Sequence, residues 1–293
     1  MDFGRLLTAM VTPMTKDGEV DLKRAGQLAK KLVQEGSDGL VVTGTTGESP
    51  TLTHDEKVAL WETVVDAVGD QAVIFAGSGS NDTSSSVEMS REAERCGVHG
   101  VMLVGPYYSR PSQEGIYRHM STVADTLSIP VMVYNVPSRT GSNIEAETVL
   151  RLASEHANIQ AVKEASGISD QVGDILRDRP KTFKVYSGDD KMTLPLMAIG
   201  ADGVVSVASH VAGVRIKEMM DAFEAGHIKK AQSLHLALLP LFRGLFHFPS
   251  PGPVKCALRL AGFDCGPMRL PMAPLAQEEE AWVLALLRDA RVV

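Results

Sequence analysis

Eight short runs of β-branched and apolar residues recur along the chain, at 6–11, 39–43, 72–76, 100–104, 130–134, 159–163, 183–186 and 203–207, with helix-length segments between them. Thr53-His54-Asp55-Glu56 has capping-box spacing ahead of Val58, Leu60, Val64 and Val65, so a helix is predicted to start there. Ser112 is placed to open another over 113–127, and Gly97 to close the one before it. Strands separated by helices run parallel. Eight such units therefore predict a closed (β/α)8 TIM barrel over 1–226, a fold of typically about 250 residues. An open doubly wound sheet is the alternative, disfavoured because no Gly-x-Gly-x-x-Gly follows the first strand.

Beyond Gly226 the alternation stops. The segments 227–246, 253–260 and 274–291 read as helices separated by Pro and Gly, a C-terminal helical appendage over 227–293. Leu234, Leu238, Leu241 and Leu245 recur at helical spacing, as a face packed on the barrel or on another subunit would. With no linker-like stretch before it, the appendage is expected to form one compact unit with the barrel.

Lys163 breaks the strand pattern. It lies in Ile159-Gln160-Ala161-Val162-Lys163-Glu164-Ala165, where alternation puts Ala161, Lys163 and Ala165 on one face and Val162 and Glu164 on the other. The neighbouring carboxylate thus points away from the ammonium. A poorly hydrated amine loses its proton more easily, and a neutral amine attacks a ketone to form a Schiff base. The bland alternative is a lysine that snorkels to water from a strand end.

In barrels the chemistry gathers at the C-terminal strand ends. The second run is followed by Gly44-Thr45-Thr46-Gly47-Glu48-Ser49, whose amides and hydroxyls suit a carboxylate. Gly105-Pro106-Tyr107-Tyr108-Ser109-Arg110-Pro111 follows the fourth, and Tyr134-Asn135-Val136-Pro137-Ser138-Arg139-Thr140-Gly141 ends the fifth. Ser187-Gly188-Asp189-Asp190 ends the seventh. Taken singly these are a turn, packing tyrosines and a solvated arginine; their shared position at one mouth favours a site.

Composition narrows the partners. The 293 residues carry a formal net charge of −7, with Lys and Arg scattered, so a nucleic-acid partner is not expected. Apolar stretches are strand-length and the start lacks signal-peptide regions, which predicts a cytoplasmic protein without a membrane partner. Cys96, Cys256 and Cys265 form no Cys-x-x-Cys pair, and the eight histidines show no ligand spacing, so no metal is expected.

These strings together, in this order along the whole chain, resemble the dihydrodipicolinate synthase and N-acetylneuraminate lyase superfamily of Schiff-base aldolases, the synthase branch most. The resemblance implies cofactor-free condensation of pyruvate with aspartate 4-semialdehyde, in lysine and diaminopimelate biosynthesis. It implies Lys163 as the imine-forming amine, Tyr134, Thr45 and Tyr108 as a hydroxyl relay, and Thr46 as the pyruvate-carboxylate site. Gly188 and Val205 would line the pocket, and Arg139 would hold the semialdehyde carboxylate. The counterpart of Tyr108 reaches a neighbouring subunit's site, implying at least a dimer, and family members usually form a tetramer of two tight dimers. Lysine-inhibited members bind lysine near that interface; Ser49, His54, Asn81 and Tyr107 match here, but Lys57 and Ser85 replace a histidine and a glutamate and Pro50 an alanine, so weak or absent feedback is expected. Two alternatives stand: an aldolase acting on sialic acid or a 2-keto-3-deoxy sugar acid, and a non-catalytic metabolite-binding barrel.

Overall fold

The computed structural model describes residues 2–293. Eight parallel strands, β1 (Leu6–Ala9), β2 (Gly39–Val42), β3 (Val73–Gly77), β4 (Gly100–Val104), β5 (Val131–Asn135), β6 (Ile159–Glu164), β7 (Lys184–Ser187) and β8 (Gly203–Ser206), close in chain order into a barrel. The TIM barrel expected from eight alternating units is the one observed, and the open sheet is excluded by the pairing of β1 with β8. The strands are short apolar runs because both of their faces are covered. Inward residues fill the barrel, outward ones meet the helices, and both sets are buried apart from a few strand-end residues and Gln160.

Register positions the site. Tyr134 on β5 stands level with Lys163 on β6, and Lys163 with Tyr186 on β7. Ile159 and Ala161 pair with the consecutive residues Val131 and Met132, so the irregularity at Gln160 lies below the lysine and leaves the upper register intact. Tyr186 and Gly203 are partners, as are Val205 and Leu7, which sets Val205 on the same inward face. At the opposite end the barrel is plugged: Phe3 meets Phe75 edge-on at 5.1 Å, and the Tyr186 hydroxyl donates to the Gly4 carbonyl at 2.7 Å.

The helices start where their caps dictate. Thr53 and Glu56 exchange side-chain and backbone hydrogen bonds at the head of His54–Val68, and Ser112 caps Gln113–Ala124. The latter ends before the expected 127, because the Asp125 amide closes the last turn on Ser121 and Val123. Gly97 is left-handed, φ 79°, just past Thr83–Arg95, as a helix-terminating glycine should be. The C-terminal helices are Ile228–Gly244, Gly252–Leu260 and Gln277–Asp289. The last begins after the expected 274, since Ala276 is extended and its amide is taken by Glu279 Oε2. Leu238 and Leu241 are fully buried and Leu234 partly so, on a helix that packs against Ser209–Glu224, and Leu245, which caps its C-terminal end, is buried as well.

Candidate active site at the barrel mouth

Lys163 points into the barrel and is 6% exposed, and its Nζ stands 4.2 Å from the centroid of the Tyr134 ring. Burial strips the ammonium of water and brings its pKa down to about 7; the charge of Asp190 works to raise it, and that of Arg139 to lower it further. An amine that ordinarily titrates near 10.5 therefore has a substantial neutral, nucleophilic fraction near neutral pH. The snorkelling alternative does not describe this side chain.

Glu164, its sequence neighbour, faces outward as alternation requires. It accepts from Asn135 Nδ2 at 3.0 Å, Gln171 Nε2 at 3.1 Å and the Ser166 amide at 2.6 Å. These bonds tie β5, β6 and the helix Ser169–Asp178 together directly behind the lysine.

Burial pushes the Tyr134 phenol up, while the charge of Arg139 and a hydrogen bond with the Thr45 side chain pull it back. Tyr134, Thr45 and Arg139 line one cavity of about 510 Å³. Gly188 is packed onto the lysine: a Cβ there would stand 2.6 Å from the Ala165 Cβ and 3.2 Å from Lys163 Cε. Thr46 is buried in the turn after β2, and Val205 is buried on the inward face of β8. Seven of the eight expected residues thus come together at the barrel mouth: Lys163, Tyr134, Thr46 and Val205 are buried there, Thr45 and Arg139 line its cavity, and the half-buried Gly188 packs on the lysine.

Tyr108 is the exception within one chain. The residue is 90% exposed and does not line the cavity, whereas Tyr107 does. Both Tyr108 and Arg110 are left-handed, at φ 72° and 50°, with the Tyr108 amide donating to the Thr140 carbonyl at 3.3 Å.

The turn after β2 is built under strain. Thr43, a β-branched residue, is left-handed at φ 57°, and Trp61 Nε1 donates to its hydroxyl at 2.8 Å. Gly77 admits this geometry, since a Cβ there would come within 2.5 Å of the Thr43 carbonyl. Such strain persists only where surroundings over-determine it, and it concentrates at functional sites.

Asp190 was not assigned a role from sequence. Its buried carboxylate accepts from the Ser206 hydroxyl and from the Val207 and Ala208 amides, both at 3.1 Å, so it enters the lysine's electrostatics from the β8 side. The doubled aspartate after β7 was the available signal, but which of the two turns inward depends on how β8 closes. Among the described residues, no group of three metal-ligating side chains comes together, and no helix is long and apolar enough to cross a membrane.

The chain is similar to known proteins over nearly its full length. The model of the dihydrodipicolinate synthetase family matches residues 2–290. The 4-hydroxy-tetrahydrodipicolinate synthase of Moorella thermoacetica is 55% identical over 289 residues, covering 99% of each chain. Among solved structures, dihydrodipicolinate synthase from Bacillus anthracis superposes with a TM-score of 0.96 at 48% identity, covering 98% of each chain. The enzyme from Cyanidioschyzon merolae, solved with lysine bound, has a TM-score of 0.98 at 42% identity and covers 99% of each.

Proposed function

This chain belongs to the dihydrodipicolinate synthetase family, and from that membership we propose that it condenses pyruvate with aspartate 4-semialdehyde to give 4-hydroxy-tetrahydrodipicolinate. The observation that carries the mechanism is a buried amine with a pKa of about 7 against the ring of Tyr134. Neutral Nζ attacks the ketone carbon of pyruvate, and loss of water leaves a protonated imine. That cation is an electron sink, so the adjacent methyl loses a proton to give an enamine. The enamine carbon attacks the aldehyde carbon of the second substrate, whose oxygen takes up a proton. The new adduct's amino group then displaces Nζ, closing the ring and freeing the lysine.

Hydroxyls both donate and accept, so Tyr134 and Thr45 suit proton exchange with the departing water. Tyr108 completes that relay from a neighbouring subunit, in keeping with its exposed ring, and the active assembly is at least a dimer. Thr46 binds the pyruvate carboxylate, Gly188 and Val205 shape the pocket, and Arg139 takes the semialdehyde carboxylate with its planar fork.

Incubation with pyruvate and borohydride, followed by peptide mass analysis, tests the reading. A reduced adduct on Lys163 is expected, with loss of the adduct and at least ~10³-fold of kcat in Lys163→Ala. No adduct on the wild-type chain would leave only a binding protein. Steady-state comparison with sialic acid and 2-keto-3-deoxy sugar acids tests the substrate class.

Feedback by lysine is expected to be weak or absent. Ser49, Pro50, Lys57, Ser85 and Tyr107 line the 510 Å³ cavity, whose lining includes two cations, Lys57 and Arg139, and no carboxylate. An incoming lysine ammonium meets like charge there. A rate assay in millimolar lysine checks this, and strong inhibition contradicts it.

A further inference from the structure

Glu48 closes the turn that carries Thr45 and Thr46, and it does so in a left-handed conformation, φ 58°, that a non-glycine residue adopts only under constraint. Its amide donates to the Thr45 carbonyl at 3.1 Å, and its carbonyl accepts from the Thr51 amide at 2.9 Å. The constraint on its side chain comes from the far end of the sequence. Glu48 Oε1 is ion-paired with Lys255 Nζ at 2.6 Å, and both side chains are almost wholly buried. Glu48 Oε2 accepts from the Arg269 amide at 2.9 Å, and Lys255 Nζ also donates to the Pro267 carbonyl at 2.9 Å.

The same C-terminal segment grips the turn's other neighbours. Arg269 places its guanidinium on both oxygens of Glu56, at 2.5 and 2.7 Å, and on the Thr51 carbonyl at 2.8 Å. Its Nε donates to the Gly18 carbonyl at 2.7 Å. The Met14 amide, in the loop after β1, donates to the Cys265 carbonyl at 2.9 Å. Gly266 lies so close to that loop that a Cβ would come within 1.9 Å of the Met14 carbonyl. The segment 265–269 is therefore fitted onto the loops after β1 and β2.

We propose that Glu48, Lys255 and Arg269 form a latch through which the C-terminal helices set the geometry of the Thr45–Thr46 turn, making Glu48 and Lys255 positioning residues for the keto-acid carboxylate. A buried ion pair is poor evidence of net stabilisation, because an apolar pair of similar volume often serves as well or better, but it fixes orientation. Here the orientation fixed is that of a strained backbone whose neighbours face the substrate. The proposal rests on the reading of Thr46 given above.

The test compares Lys255→Met, Lys255→Arg and the double variant Glu48→Gln/Lys255→Met, measuring melting temperature, kcat and the KM for pyruvate separately. Lys255→Met strands a buried carboxylate and is expected to melt lower; the double variant removes both charges and recovers much of that loss. A latch that orients the turn predicts a pyruvate KM raised about tenfold or more in the double variant, with kcat changed far less. Lys255→Arg, which keeps the charge, stays near wild type. A stable double variant with wild-type KM overturns the proposal. Should the Lys255 variants not fold, Arg269→Gln probes the latch from its outer end, and an unchanged pyruvate KM there overturns it equally. Failure of the latch is separable from failure of the Schiff-base reading, since the borohydride adduct on wild-type Lys163 reports the latter alone.

Discussion

Lys163 shows how a residue that violates its local pattern exposes a site: a cation on the inward face of a barrel strand is costly unless its charge is removed. Its electrostatics make a testable pH dependence. The amine is nucleophilic only when neutral, so the rate of borohydride trapping with pyruvate is expected to rise with pH through about 7 and level off above it. Asp190 favours the charged form, so Asp190→Asn moves the inflection to lower pH; Arg139 disfavours it, so Arg139→Met moves it to higher pH. Shifts of opposite sign to these would show that the charges do not act on the amine. Gly188 gives a steric counterpart. In Gly188→Ala the new methyl presses on Lys163 Cε and the Ala165 Cβ, and a displaced nucleophile is expected to lower kcat roughly 10–100-fold. A folded variant with wild-type kcat would refute that. Lys163 was legible from sequence because alternation alone assigns its face. Asp190 and Glu48 were not, since each acquires its partners only when distant segments close on it.

At the level of elements, every expected strand run overlaps an observed strand, since a buried parallel strand is a short β-branched run with little freedom to read otherwise. Helix ends were less legible: the helix from Ser112 ends at Ala124, and the last begins at Gln277, each set by a local hydrogen bond that hydrophobic spacing does not encode. The closing seam is a further case. His210, at the head of the helix Ser209–Glu224, accepts from the Val11 amide on Nε2 at 3.1 Å and donates from Nδ1 to the Val207 carbonyl at 2.8 Å, joining the loops after β1 and β8. Fully buried, it is held neutral, its pKa brought down from 6.5 to about 4. The unfolded chain takes up a proton below 6.5 that the folded chain refuses until about 4. The stability this group contributes is thus complete above pH 6.5 and lost progressively between 6.5 and 4, by about 3 kcal/mol. Denaturant unfolding of His210→Gln against wild type across that window isolates the effect: the wild-type curve falls more steeply, and parallel curves would show the histidine contributes nothing.

On the scale of the whole molecule, one chain leaves its proposed relay incomplete. Tyr108 sits on a loop with two left-handed non-glycine residues, yet it is 90% exposed. Strain of that kind is maintained where something depends on it, and within the single chain nothing covers the ring. If two chains exchange this tyrosine across a two-fold axis, each site draws Lys163 from one subunit and Tyr108 from the other, because a two-fold interface is reciprocal. Lys163→Ala and Tyr108→Phe subunits, each nearly inactive as pure oligomers, then complement when unfolded together and reassembled. Random pairing at equal amounts makes half the dimers mixed, and one of the two sites in each mixed dimer has both native groups. Activity is expected to return to roughly a quarter of wild type. If each site instead uses its own tyrosine, no mixed dimer contains an intact site, and the mixture shows only the average of the two parents. The recovered fraction therefore reads out whether the catalytic unit is the chain or the pair.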